Sequence, residues 1–168
     1  HFCDVKRIIS AISGKAARIS VIMPMLYESR QHRRTARESL DCAFMLHELI
    51  SLGVENIMTF DAHDDRVRNA IPLEGFDNLM PTYQMIKAFM ANEKDIDIKN
   101  TVIVSPDEGA LARGMYYSSV LGIQLSMFYK RRDYSIVKDG RNPIVAHEYL
   151  GDDVKGKDII VVDDIISS

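Results

Sequence analysis

No stretch of the chain approaches the roughly 20 consecutive apolar residues that a membrane-spanning helix needs, and its first residues lack the charged start and apolar core of a signal peptide. The expectation is a cytoplasmic protein with no membrane partner. Cysteine is nearly absent: Cys3 and Cys42 are the only thiols. They form no CxxC spacing, which leaves neither a disulfide framework nor a structural zinc site. Positive charge is not in excess either, since 21 Lys and Arg against 24 Asp and Glu give a net charge of -3. Without a global basic field no large nucleic-acid footprint is expected, and an anionic ligand must be held by local clusters. What is present is ordinary: 46% hydrophobic and 27% charged residues describe a soluble globular chain, long enough for one ordinary domain or two small ones. The chain opens on His1 and closes on Ser168 directly after an apolar run and two acids, so a longer parent protein is expected.

The hydrophobic pattern alternates between two periods. Asp4 is placed to cap a helix with Val5, Ile8, Ile9 and Ile12 on one face and Gly14 at its end. Ile19 to Met23, closed by Pro24, reads as a buried strand. A helix over about 39–52 ends at Gly53, and 56–60 is the next strand. The same order returns as a helix after Pro81, a strand at 101–104, a helix over about 109–121 and a strand at 123–129. Such alternation predicts an α/β fold of parallel strands flanked by helices. The polar segment KRRDYSIVKDGRNP (130–143) is too long for a tight turn and is expected to be a loop of mobile or functional kind. Strands at 144–150 and 158–162 flank the turn-forming GDDVKGK and are expected to be a hairpin or neighbours. Residues 73–81, with Gly75 and Pro81, are the expected domain boundary.

Three predicted strands end in acids or a histidine: Asp61-Ala62-His63, Ser105-Pro106-Asp107 and Asp163-Asp164. In open α/β sheets ligands bind at the carboxyl ends of strands, so these termini can share a crevice. A single Asp after a strand is more often a helix cap or turn residue, and a lone His is usually a solvated loop residue. The Asp163-Asp164 pair is harder to explain without a ligand, because adjacent like charges need a cation or sugar hydroxyls to compensate them. Basic clusters follow two other strands: Arg30, Gln31, His32, Arg33, Arg34 and Arg37, then Lys130, Arg131 and Arg132. Clusters of this kind are usually solvated, yet guanidinium forks after a strand suit phosphate oxygens. Acids for a metal together with bases for phosphates suggest phosphoryl chemistry.

These segments, in this order, resemble the ribose-phosphate pyrophosphokinases. SRQHRR (29–34) is similar to that family's Arg-Gln-Asp-basic segment, FDAH (60–63) to Asp-Leu-His-Ala, and VSPDEGA (104–110) to Val-Ser-Pro-Asp-Ala-Gly-Gly. YKRR (129–132) and VVDDIISS (161–168) continue the resemblance over nearly the whole chain. It implies parts of two phosphoribosyltransferase-like domains: the later part of the first on the ATP side (1–79), and the earlier part of the second on the ribose 5-phosphate side (80–168). It also implies an active site at their junction and at a subunit interface, and a homo-oligomer, dimer or hexamer. The implied reaction moves the β,γ-diphosphate of ATP to O1 of ribose 5-phosphate, with Mg2+ as cofactor.

Carried over by position, the resemblance places Arg30, Gln31 and His63 on ATP. It places Asp107, Asp163, Asp164, Ser167 and Ser168 on ribose 5-phosphate, and His63 and Asp107 near the metal. Lys130, Arg132 and His63 take catalytic roles, the first two at positions of the family's catalytic loop. His32 stands where the family usually has an acid, Glu108 and Ala110 alter the Asp-Ala-Gly-Gly segment, and Ser167 replaces a common Asp. Two other readings are open: a phosphoribosyltransferase, which would lack SRQHRR and FDAH in this order, and a non-catalytic regulatory homologue.

Overall fold

The computed structural model describes residues 2–137 and 142–166. The chain divides into two compact units, His1–Tyr83 and Gln84–Ser168.

The first unit opens with helix α1 (Phe2–Ile12), followed by strand β1 (Ser20–Met23), helix α2 (Asp41–Ser51), strand β2 (Asn56–Phe60), a 3-10 segment Asp65–Ala70 and strand β3 (Gly75–Leu79). The three strands are parallel in the order β1-β2-β3. Cys42, Met45, Leu46 and Leu49 of α2 are buried. Their 3-1-3 spacing makes a single apolar stripe, which packs with Val21, Met23 and Ile57 in one core. Burial alternates along β1, with Val21 and Met23 inside and Ile22 63% exposed. This strand is therefore covered on one face, where an apolar run had suggested burial on both. In α1 the inward face is Phe2, Val5 and Ile9, while Ile8 is exposed. Asp4 lies inside the first turn and pairs with Arg7 at 3.0 Å instead of capping.

The expected boundary at 73–81 contains a strand. GFDNL is too short and too polar to announce itself, but its backbone extends the ladder, as Gly75 N donates to Glu55 O and Asp61 N to Leu79 O. Gly75 is required there, because a Cβ would come within 2.8 Å of the Glu55 carbonyl.

The second unit's sheet has the order β6-β5-β4-β7. It comprises β4 (Thr101–Ser105), β5 (Leu125–Arg132), β6 (Ile144–Leu150) and β7 (Asp158–Val161), with α4 (Leu111–Leu121) between β4 and β5. Helix α3 (Thr82–Asn92) precedes them. Strand β4 runs parallel to β5 and β7, and β6 is antiparallel to β5. The central position of β4 explains why all five of its residues are buried. Gly114 lets α4 settle on this sheet: a Cβ there would sit 3.0 Å from Leu125 Cδ1 and 3.7 Å from Ser105 Cβ.

Two expectations are corrected. Strands 144–150 and 158–162 are not neighbours; β6 and β7 occupy opposite edges, because β6 folds back on β5. For the same reason Lys130 and Arg132 belong to β5 and not to a loop. Lys130 is opposite His147, Arg131 opposite Ala146, and a bulge separates Arg131 from Arg132.

Candidate functional site

In the first unit, parallel β1 and β2 end at Met23 and Phe60. The loops that follow therefore leave from the same edge of the sheet, where ligands of open α/β sheets bind. One loop carries Arg30, Gln31 and His32; the other carries His63 and Asp64. His32 Nε2 lies 3.2 Å from Asp64 Oδ2, and its ring centroid is 5.4 Å from that of His63. The SRQHRR and FDAH segments are thus brought together through their histidines. Arg30 is exposed, and Gln31 is half-buried with its backbone tied to Glu28 O and Cys42 N.

Two non-glycine residues at these turns take left-handed backbone, Glu28 at φ 51° and Asp61 at φ 47°. Such positions cost about 1–2 kcal/mol each and recur where a turn must aim functional groups. Beyond Asp61, Ala62 N donates to Asn78 Oδ1 at 3.0 Å, which ties the loop to β3. Asp64 caps the 3-10 segment by accepting from Arg66 N, and its carboxylate also takes Arg66 Nε at 2.9 Å. The Arg66 side chain, then its backbone N–H, with His32 contributing least, hold the Asp64 carboxyl well below the usual range.

In the second unit, β4, β5 and β7 present their carboxyl ends with Asp107, Lys130 and Asp163. Asp107 Oδ1 accepts from Gly109 N at 2.9 Å and Ala110 N at 3.1 Å, so it caps the turn into α4. Its other oxygen takes Lys130 Nζ at 2.6 Å. The ammonium beside it, more than the two backbone donors, holds Asp107 below its ordinary value. The two readings of Asp107, cap and site residue, are therefore both present in one side chain. Arg132 is exposed, and its Nη1 donates to Asn142 O.

Asp163 and Asp164 follow β7, with Asp164 N donating to Asp163 Oδ1 at 2.9 Å. Arg113 Nη1 lies 3.7 Å from a carboxylate oxygen of each. Burial, then the neighbouring Asp164, push the Asp163 carboxyl upward from its ordinary value, and Asp107 adds to this. One cation shared by two acids, its Nη1 3.7 Å from an oxygen of each, does not outweigh those causes.

Two of the three acidic strand ends, those of β4 and β7, are neighbours in one sheet; the His63 terminus belongs to the other unit's sheet. Ser167 and Ser168 lie outside the described residues. Sequence reasoning missed Arg113 and the His32–Asp64 contact. A signal for the first existed: a cation in the first turn of α4 opposes the helix dipole and points to a nearby acid.

The chain matches the phosphoribosyl transferase domain model over residues 76–168 and the model of the N-terminal domain of ribose phosphate pyrophosphokinase over 1–53. The ribose-phosphate pyrophosphokinase of Ureaplasma parvum is 31% identical over 161 residues, covering 95% of this chain and 45% of the relative. That of Staphylococcus saprophyticus is 26% identical over 170 residues, with 100% of this chain and 50% of the relative covered. The crystal structure of phosphoribosylpyrophosphate synthetase from Mycobacterium smegmatis superposes with a TM-score of 0.80 at 24% identity, over 97% of this chain and 50% of that one, which establishes likeness of fold. The chain spans about half the length of these relatives. With one domain model covering more than half of the chain and the other most of the first unit, the chain belongs to the ribose-phosphate pyrophosphokinase family.

Proposed function

We propose that the native protein transfers the β,γ-diphosphate of ATP to O1 of ribose 5-phosphate, giving 5-phosphoribosyl 1-diphosphate and AMP for nucleotide biosynthesis. The observation that carries this reading is the set of charges at the carboxyl edge of β4, β5 and β7, where Lys130 meets Asp107 and Arg113 meets two adjacent acids. Paired carboxylates accept from the two hydroxyls of a ribose, while an ammonium suits a phosphoryl group. Asp163 and Asp164 are assigned to the ribose hydroxyls, and Ser167 and Ser168 to the 5-phosphate. Arg30, Gln31 and His63 are assigned to ATP. Attack in line on the β-phosphorus asks little covalent chemistry of the protein. Its contribution is orientation of the two substrates and neutralisation of charge on the transferred group by Lys130 and Arg132.

Among the described residues no cluster of three or more His, Cys, Asp or Glu side chains is present that could hold a metal. Magnesium fits nevertheless, since it binds through one or two carboxylates and leaves its other positions to phosphates and water. The Asp107 oxygen that now takes Lys130 is a cation-accepting atom of the right kind. Asp107 would be a metal contact in the second unit and His63 one in the first, and the ion would supply neutralisation of phosphate oxygens when bound. A cytoplasmic homo-oligomer, dimer or hexamer, completes the proposal; among the described residues no helix is long and apolar enough to cross a membrane.

The test supplies the native full-length protein with magnesium, ATP and ribose 5-phosphate and follows both products, with Lys130→Ala and His63→Ala as controls. Equimolar AMP and 5-phosphoribosyl 1-diphosphate, lost in both controls, is the expected result. ATP binding without either product, where a known family enzyme is active, would replace this reading with a regulatory homologue.

A further inference from the structure

We propose that Arg113 is the positioning residue of the sugar site, a cation held between Asp163 and Asp164 that keeps both carboxylates oriented for the vicinal diol of a ribose ring. The inference rests on the sugar-side reading of those two acids. Arg113 Nη1 is 3.7 Å from Asp163 Oδ1 and 3.7 Å from Asp164 Oδ1, and only 10% of its side chain is exposed. Asp164 is equally enclosed, at 7%. Two adjacent acids brought this close to one another out of bulk water repel, and each is free to turn away unless a shared counter-charge holds them. A guanidinium carries that charge at all working pH values and has five donors on one plane, so one group can face two carboxylates. Helix α4 places it there. Its seat is fixed by the close approach at Gly114, the next residue, where a Cβ would meet Leu125 at 3.0 Å.

The arrangement has a chemical reason in the ligand. A vicinal diol offers two hydroxyl donors on adjacent carbons, and it gains most from two acceptors already fixed side by side. Arg113 contacts the acids and not the sugar in this account, so its removal affects the diol and leaves the nucleotide alone. Being largely buried, it also resists simple deletion; Arg113→Met keeps most of the stem volume and Arg113→Lys keeps the charge.

The experiment measures binding of ribose 5-phosphate, 2-deoxyribose 5-phosphate and ATP by calorimetry to the native full-length protein and to both variants, with melting curves for each. Arg113→Met is expected to weaken ribose 5-phosphate about tenfold or more, to weaken the deoxy sugar less, and to leave ATP within about twofold. Arg113→Lys is expected to recover most of the loss. A Met variant that still binds ribose 5-phosphate normally, or one that loses both sugars and ATP to the same extent, overturns the proposal. The melting curves give a readout without sugar: the fall in Tm caused by Arg113→Met should shrink when Asp163→Asn is added, because less repulsion is left to offset. If wild-type protein binds no ribose 5-phosphate, the sugar-side reading fails, and the Tm coupling alone decides whether Arg113 holds the acids; absence of coupling removes that role too.

Discussion

Lys130→Met separates two roles of one ion pair. Asp107 has three donors: Lys130 Nζ at 2.6 Å on one oxygen, and Gly109 N and Ala110 N on the other. Each partner of the ion pair retains 29% side-chain exposure. That places it between solvated pairs, worth about 0–1 kcal/mol, and enclosed charged hydrogen bonds, worth about 1.5–3 kcal/mol. Replacing Lys130 by Met should therefore cost about 1 kcal/mol of stability, since Asp107 keeps its two backbone donors. Asp107→Ala should cost about 3 kcal/mol, because two backbone N–H groups at the start of α4 lose their acceptor as well. Catalysis should reverse the order of interest: if Lys130 stabilises charge on the transferred group, Lys130→Met lowers kcat by about 10²–10³. The assay combines urea unfolding, product formation and amide exchange at Gly109 and Ala110. Protection there should survive Lys130→Met and vanish in Asp107→Ala. The pair also fixes a pH dependence. Because Asp107 is depressed by its partner, the stabilisation is complete above the ordinary carboxylate value and is lost as pH falls through the lower, folded one. Asp107→Asn should abolish that loss. A Lys130→Met protein with unchanged kcat, or one destabilised as much as Asp107→Ala, would refute the reasoning.

Three further outcomes are expected. Cys42 is 1% exposed and burial pushes its thiol up to about 11; at pH 8 about one molecule in a thousand carries the thiolate. A thiol reagent followed by peptide mapping should label Cys3 quickly and Cys42 only in denaturant; rapid native labelling of both would contradict this. Gly75→Ala should lower stability by about 1–3 kcal/mol, since the added carbon meets the Glu55 carbonyl at 2.8 Å; an unchanged melting curve would show that β3 does not approach β2 so closely. His32→Ala should weaken ATP about tenfold while costing less than about 1 kcal/mol of stability, because Asp64 keeps Arg66; equal ATP affinity in calorimetry would deny His32 a part in the nucleotide side.

Much of the fold was legible because its central elements obey simple periods. The α2 stripe of Cys42, Met45, Leu46 and Leu49 and the unbroken TVIVS of β4 are signals that a sequence carries openly. β3 was not legible: its inward residues are Phe76 and Asn78, and what makes it a strand is the ladder to β2, a tertiary fact. The pairing of β6 with β5 was hidden for a different reason. Lys130, Arg131 and Arg132 read as loop, yet Arg131 is stabilised in a strand by Glu148 across the ladder at 3.0 Å. At the site, residue types and strand ends were readable, but partners were not. Nothing in local spacing joins Lys130 to Asp107, 23 positions apart, or Arg113 to an acid pair some fifty positions on.

The two units differ in the charge they bring to their sheet edges, and the difference matches the proposed division of substrates. The loop after β1 carries Arg30, Arg33, Arg34 and Arg37, all exposed, and Asp64 beside it is already neutralised by Arg66. This edge offers exposed cations, which suits a polyphosphate. The edge of β4, β5 and β7 offers acids that face internal cations: Lys130 on Asp107, and one Arg113 shared by the Asp163-Asp164 pair. These acids still present oxygens to neutral hydroxyl donors, which is what a sugar supplies. A metal ion held by Asp107 would compete with Lys130 for the same oxygen, and Lys130 would then be available to a phosphoryl group. The Lys130–Asp107 contact thus stabilises this edge and holds in place the ammonium that the proposal assigns to the phosphoryl group.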